Sequence, residues 1–508
     1  MDYPFWDVGI GYGVLMAAIA VIHVFISHFA IGGGLYLVVS ETIARRRNDQ
    51  AMLEFLRGLT KFFVLVTLVA GALTGVAIWF IIGLLNPAAT EALIHNFVWG
   101  WAIEWTFFLI EIAAAIIYLY GWERMSPKNH LIVGWLYFLG AWLSLVVING
   151  IITFMLTPGR WIETGAFWDG FFNPTYWPSL VMRTGVCVML AGLYTMTVAS
   201  RIENVGEKSR ITRYSAIWGL AGLAITMPSF FWYYKAIPAA IIERASTMFW
   251  PAASLTQSYK YAAVIAVLLI VFGIFASRRN HIAISLLIML FGLAWLGSFE
   301  WFRESVRKPY VIDGYMYANS VEVAKADHYR RDGYLAHMPY RTGNDGEDLF
   351  RRACGSCHTL GGDYRDIEPA FAGTDVEFVS GLIRGVHRSV GSMPQFLGRP
   401  EEAIALGGYI WGHVDQRPLA EIHGLEGRAL GEKVYEVRCG RCHVIGGHND
   451  KSETLTGMTK EDYLDIFEAF GDISEEMPAL TATTQDKEAL AEYLESLDEG
   501  GSDATPGL

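Results

Sequence analysis

Cysteine is sparse, with five in 508 residues, and four of them fall in two identical short patterns that leave Cys187 alone in an apolar stretch. That arrangement excludes a disulfide framework. A basic leader is missing too: the chain opens MDYPFWDVG with no charged n-region, so no cleavable signal peptide is expected. Nor is there the basic excess that nucleic acid would require. Residues 346–508 carry 14 Lys and Arg against 30 Asp and Glu, while the first 345 residues hold +4 of the formal −12. An acidic region on a near-neutral body suits a basic protein partner.

What the sequence has in abundance is apolar length. It is 53% hydrophobic with a mean hydropathy of +0.31, and the apolar runs stop near Trp301. Eight segments reach spanning length, at 8–41, 59–86, 96–122, 130–157, 176–200, 213–236, 259–277 and 281–302. Loops after the odd-numbered spans hold thirteen Lys and Arg, among them Arg45, Arg46, Arg47, Arg124, Arg201 and Arg278. The opposite loops hold four: Arg160, Lys235, Arg244 and Lys260. This bias puts the N-terminus outside and, after eight crossings, the C-terminal region outside as well.

The third span, NFVWGWAIEWTFFLIEIAAAIIYLYGW, carries Glu104 and Glu111 in its interior. Seven residues is two helical turns, so both carboxylates share a face, about 10 Å apart along the axis. Each charge at mid-membrane depth costs roughly 2.5–3.5 kcal/mol, so neither is expected to face lipid. They read either as protonated structural carboxyls or as part of a proton path or metal-centred site. In the first span His23 and His28 are five apart, about 140° around the helix, and cannot serve one centre from one face. His23 is the candidate ligand, and His28 is as well explained by a hydrogen bond to a neighbouring helix. The aromatic loop 158–175 suits a headgroup-level cap, and it or the loop 237–258 could help shape a quinol pocket.

The eighth span ends GSFEWFRESVRKPYVIDG, where Glu300 and Glu304 share a face, as do Arg303 and Arg307. A solvated helix end with intrahelical pairing would explain this. However, Glu300 still lies in apolar sequence, and Pro309 beside Tyr310 marks a defined stop. A polar linker follows, about 311–345.

Two segments then carry the strongest signals, Cys354-Gly-Ser-Cys357-His358 and Cys439-Gly-Arg-Cys442-His443. Cys-x-x-Cys-His is the attachment pattern of c-type haem: two thiols form thioethers to the vinyl groups and the adjacent His ligates iron. A zinc or thioredoxin reading explains neither the following His nor the repetition. Met393-Pro394 and Met477-Pro478 follow 35 and 34 residues on, and a thioether would supply the sixth ligand. His387, His413, His423 and His448 are rivals for that role. The two segments read as tandem c-type domains at 346–416 and 425–497, with a flexible tail at 498–508. Covalent haem of this kind is attached outside the cytoplasmic membrane, in agreement with the loop charges.

Residues 1–310 resemble the haem-bearing subunit of the cytochrome bd oxidase superfamily, in its cytochrome c-containing branch. The stretches that carry the likeness are AVIHVFISHFAIGGG around His23, IEWTFFLIE with GWER around Glu104 and Glu111, and EWFRESVRKPY. The resemblance implies that His23 ligates a high-spin haem, that Glu104 and Glu111 line the haem and proton route, and that Glu304 is a haem-ligand acid with Arg307 near the propionates. The family spaces its two third-span acids by eight residues, whereas here they are seven apart. Its low-spin haem uses a His in span 5 and a Met in span 7. Here span 5 has Arg183 near the expected place, span 7 has neither residue, and a ninth span is absent.

The fold class expected is all-α: a transmembrane bundle of about eight helices followed by two small cytochrome c domains. The expected cofactors are two covalent haem c and one or two high-spin haems of b or d type, with no low-spin haem b. The expected activity is that of a terminal oxidoreductase reducing dioxygen to water in the bacterial cytoplasmic membrane, its c-type domains on the periplasmic face. The resemblance implies a second multi-span subunit, and a small redox protein would be the donor. Nitric oxide or another small oxidant is an alternative substrate; a quinol-oxidising module that reduces the c haems is an alternative of a different class.

Overall fold

The computed structural model describes residues 6, 8–246, 250–388, 391–446, 449–451, 454, 457–473 and 480–499. Two compact units divide the chain: Met16–Arg307, and Met1–Leu15 with Lys308–Leu508.

The first unit is a bundle of eight helices long and apolar enough to cross a membrane. They are α1 (Tyr12–Arg47), α2 (Gln50–Leu85), α3 (Val98–Gly121), α4 (Pro127–Phe154), α5 (Tyr176–Ala199), α6 (Val205–Ala236), α7 (Leu255–Phe275) and α8 (Ile282–Arg307). All eight expected spans are present, and their ends move where caps override hydropathy. Thus α1 runs on through Arg45, Arg46 and Arg47, and Asp49 then caps α2 by accepting from Met52 N–H at 3.0 Å. The α2 helix also widens into a π-helical stretch at Leu65–Gly71, and α7 closes with another at Leu269–Phe275. Hydropathy does not register either one.

The α5 helix is the axis of this unit, with 78% of its apolar window enclosed, against 11% for α2 and 22% for α3. Small residues let its neighbours approach backbone to backbone. A Cβ on Gly222 of α6 would stand 2.2 Å from Met189 N, and one on Gly32 of α1 would stand 1.8 Å from Cys187 O. The α3 and α4 helices run antiparallel, which sets Glu104 opposite Ser144 and Glu111 opposite Tyr137.

The second unit holds two helical domains. The first is built on α9 (Asp345–Ala353), α10 (Val376–Gly385) and α11 (Pro400–Trp411), packed through Leu349, Phe378, Val379 and Leu406. The stretch 311–345, expected as a linker, is ordered and completes this core with Val321, Ala326, Tyr329 and Tyr334. The buried Glu402 carboxylate fastens it, accepting from Tyr334 N–H at 3.0 Å, Leu335 N–H at 2.9 Å and Arg399 N–H at 2.9 Å. Residues 9–13 also pack here: Asp363 N–H donates to Gly9 O at 3.3 Å, and Gly11 (φ +86°) lies against Tyr364. The second domain is built on α12 (Gly427–Arg438), α13 (Lys460–Ile473) and α14 (Thr484–Glu499), around Leu430, Val434, Tyr463 and Leu490.

Candidate haem sites

The two Cys-x-x-Cys-His segments close their helices with one and the same turn. Phe350 O accepts from Cys354 N–H and Gly355 N–H at 2.9 and 2.8 Å; Tyr435 O accepts from Cys439 N–H and Gly440 N–H at 2.8 and 2.7 Å. In both, the His N–H donates to the first cysteine's carbonyl at 2.9 Å. Each imidazole is then held by its Nδ1, His358 at 3.1 Å from Arg365 O and His443 at 3.1 Å from Asn449 O. A carbonyl beside Nδ1 fixes the tautomer that leaves Nε2 free for iron at His358; at His443 the Asn449 side-chain amide also lies 3.2 Å from Nδ1, and both rings keep Nε2 for the haem the motif implies. Burial pulls the His358 imidazole below its ordinary value, keeping it in the neutral form that ligates. Burial pushes the Cys354 and Cys439 thiols up to about 12. Among the described residues no three His, Cys, Asp or Glu side chains converge to hold a metal ion, which does not favour a zinc knot.

Met393 lies in the irregular loop before α11, just after Gly391 in a left-handed conformation (φ +64°). Met477 and His448 lie outside the described residues. Among the described residues His387 has a buried Nδ1 with no hydrogen-bond partner, whereas His413 Nδ1 donates to Tyr409 O at 2.8 Å.

In the membrane unit, His23 of α1 reaches Thr74 Oγ1 of α2 at 3.0 Å. The Thr74 hydroxyl donates to Ala70 O at 2.7 Å, so it accepts from His23 Nδ1–H and leaves Nε2 available. A Cβ at Gly75 would stand 3.1 Å from the ring, so glycine keeps that edge open. The π-helical stretch lies just before Thr74, a placement common at functional sites. His28 is oriented alike, its Nδ1 at 2.7 Å from Val24 O and its buried Nε2 without a partner. The two imidazoles engage different groups, as a five-residue separation requires.

Glu104 accepts from Ser144 Oγ at 2.8 Å and Glu111 from Tyr137 Oη at 2.9 Å, so both carboxyls of α3 face α4. At the end of α8, Glu304 pairs with Arg307 and Glu300 with Arg303 at 2.6 Å. Glu300 also receives Arg183 of α5 at 3.1 Å, a pair with side chains 12% and 2% exposed. Among the described residues, four donors on α5, α6 and α8 (Arg183 Nε, Arg307 Nε, Tyr233 Oη and Trp295 Nε1) are buried without an acceptor. Orphaned buried donors each cost about 1–3 kcal/mol. A group rich in acceptor oxygens, such as a haem propionate, fits there.

Sequence reasoning missed a further buried cluster. Glu41 of α1 accepts from Tyr118 Oη at 2.6 Å and Arg45 Nε at 2.6 Å, and lies 2.8 Å from His130 Nδ1. The only sequence signal was an acid within a span, overshadowed by the adjacent arginines.

Fold and site together define a polytopic helical bundle followed by a helical C-terminal region with two Cys-x-x-Cys-His turns. Residues 14–236 match the family Cytochrome bd terminal oxidase subunit I, and residues 428–494 match Cytochrome C oxidase, cbb3-type, subunit III. The chain is 27% identical over 202 residues to the putative cytochrome bd menaquinol oxidase subunit I of Bacillus subtilis (strain 168). That match covers 38% of this chain and spans 45% of the length of the relative. The bd oxidase structure from Geobacillus thermodenitrificans superposes with a TM-score of 0.52 at 16% identity, over 60% of this chain and 88% of that one. At that identity the likeness is one of fold. Residues 14–236 are thus similar to the cytochrome bd subunit I family, and the eight-helix bundle shares its fold with a bd oxidase.

Proposed function

We propose that the chain is the haem-bearing subunit of a terminal oxidoreductase of the cytochrome bd type, fed with electrons through its own covalent c haems. The observation that carries the reading is the repeated attachment turn, with one backbone pattern and one Nδ1–carbonyl bond, in a chain whose membrane part matches cytochrome bd subunit I. Haem supplies one-electron relay at a six-coordinate iron and, at an open one, four-electron reduction of dioxygen, with four protons, to two waters.

The chain's own residues do the rest. Cys354 with Cys357, and Cys439 with Cys442, anchor the two c haems; His358 and His443 present Nε2, with Met393 and Met477 as the sixth ligands. His23 ligates a high-spin haem in the bundle, with Glu304 at or near iron and Arg307 on a propionate. An acceptor arriving there would satisfy Arg307 Nε and release Glu304 from its partner. Glu104 and Glu111 take up protons on the oxygens left free by Ser144 and Tyr137, along the face that α3 turns to α4. The Arg183–Glu300 pair argues against a low-spin haem on α5, because a guanidinium stays protonated and cannot ligate iron. A second multi-span subunit, a small donor cytochrome and a bacterial cytoplasmic membrane with the c domains outside complete the proposal. Quinol as donor is the competing reading, since the Bacillus subtilis relative is named a menaquinol oxidase subunit.

Three measurements test it. A high-spin, CO-reactive haem in the reduced protein is expected, and its absence would favour an electron-transfer module over a terminal reductase. Glu304→Ala is expected to deplete one high-spin haem and spare both c haems; unchanged stoichiometry would sink that assignment. Met393→Ala and Met477→Ala should each lower one c-haem potential and together remove the near-infrared sulfur-to-iron band.

A further inference from the structure

The second attachment turn reads Arg438-Cys439-Gly440-Arg441-Cys442-His443, with an arginine before each cysteine. In isolation those charges would be expected to point to water. They do not. Arg438, 3% exposed at its side chain, donates to Gly373 O at 3.0 Å and pairs with Asp375 Oδ2 at 3.3 Å. Its guanidinium lies 4.9 Å from the centroid of the Phe378 ring. Arg441 donates to Ala370 O at 2.8 Å and covers Phe371 at 5.5 Å. Gly373, Asp375 and both phenylalanines belong to the first c-type domain, and Phe371 and Phe378 are in its core.

The gripped segment is continuous with the one that orients the first haem ligand. Arg365 O holds His358 Nδ1, Ile367 N–H donates to Thr359 O at 3.1 Å, and three residues further on Ala370 O receives Arg441. Asp375 faces both ways: Oδ1 caps α10 through Phe378 N–H at 2.9 Å, while Oδ2 takes Arg438 and the Thr481 hydroxyl at 2.5 Å. The cysteines straddle the same boundary, Cys439 against the second core and Cys442 against the first.

We propose that Arg438 and Arg441 clamp the second attachment turn onto residues 370–378 of the first domain, making the two c haems one coupled redox pair, with Arg441 the positioning residue for electron exchange between them. The exchange moves one electron from the reduced site to the oxidised one, with no bond made or broken and no proton transferred. A guanidinium suits this role because it binds a carbonyl and covers a ring while keeping its charge. This rests on the reading of both segments as covalent haem sites.

The test uses the full-length protein and its Arg441→Gln and Arg441→Lys variants. Covalent haem content comes first: two haems per chain support the underlying reading, and fewer in the wild type would overturn that reading rather than the clamp. Circular dichroism of the fully reduced wild type should then show a bisignate Soret couplet from two closely held haems. A wild type with two haems and no couplet contradicts the clamp, whatever the variants do. In Arg441→Gln both haems should remain while the couplet falls at least about twofold. The haem on Cys354 and Cys357, identified in a Cys439→Ser/Cys442→Ser background, should also become harder to reduce. Loss of one nearby positive charge should change its reduced-to-oxidised ratio about tenfold at fixed potential, ~59 mV for one electron. Arg441→Lys should keep most of the potential and lose part of the couplet. A shift confined to the haem on Cys439 and Cys442, with the first-domain haem unmoved, would overturn the proposal.

Discussion

The two c-type domains share an attachment turn whose matching hydrogen bonds agree within 0.1 Å, and differ in almost everything around it. The first is wrapped: residues 310–337 complete its core, Glu402 ties that stretch down through two backbone bonds, and residues 9–13 lie against Tyr364. The second is a three-helix core joined, among the described residues, by only Leu419, Ala420 and Leu425 from the stretch before it, and its attachment turn leans on the first domain. The Cys-x-x-Cys-His turn is therefore a portable local device. What distinguishes the two sites is the shell that long-range contacts build around them.

That comparison can be broken by removing what only the first domain has. Glu402→Ala would take the acceptor from the buried Tyr334 N–H and the part-buried Leu335 and Arg399 N–H groups, at a cost of about 3 kcal/mol. Hydrogen exchange at residues 333–337 and 399–411 should accelerate accordingly in the full chain, while residues 427–438 and 484–494 stay protected. Acceleration in both domains alike would mean they do not unfold separately.

Gly431→Ala attacks the second domain at its α12–α14 crossing, where a Cβ would stand 1.9 Å from Ala489 O. The obstacle is backbone, so the helices must separate, and a loss of about 2–3 kcal/mol is expected. Exchange along 427–438 and 484–494 reads it. Gly407→Ala, at the α10–α11 crossing of the first domain, meets chiefly the Ser380 hydroxyl at 2.2 Å, a group that can rotate away, whereas Gly346, the counterpart of Gly431, meets Tyr409 Cβ at 2.4 Å and Ala405 O at 2.7 Å. At Gly407 the expected cost is smaller, about 1 kcal/mol, and equal costs at Gly407 and Gly431 would contradict the distinction.

How much of this was legible beforehand depends on how local each feature is. Eight spans follow from hydropathy, and the attachment turns from five consecutive residues each. Glu104 and Glu111 were readable as one face because a helix fixes that relation, and Ser144 and Tyr137 on α4 answer them at the same seven-residue spacing. The features missed are held by distant partners. Glu41 and His130 are 89 residues apart, and Tyr334 meets Glu402 across 68. The stretch 311–345 reads as a polar linker because its buried residues are isolated and follow neither helical nor strand periodicity. Its order comes from a carboxylate on a helix that forms far along the chain. Arg438 and Arg441 look like solvated charge until the first domain supplies Gly373 O, Asp375 and Ala370 O.

The central claim is that electrons reach the membrane site through the covalent c haems and not from quinol through a haem on α5. Steady-state oxygen uptake by the purified complex, with reduced soluble cytochrome and then quinol as donor, tests it most directly. Rapid uptake with the cytochrome, little with quinol alone, and loss of the cytochrome-driven rate in a Cys354→Ser/Cys357→Ser variant are the predicted results. Rapid quinol-driven uptake that survives removal of residues 346–508 would contradict the account.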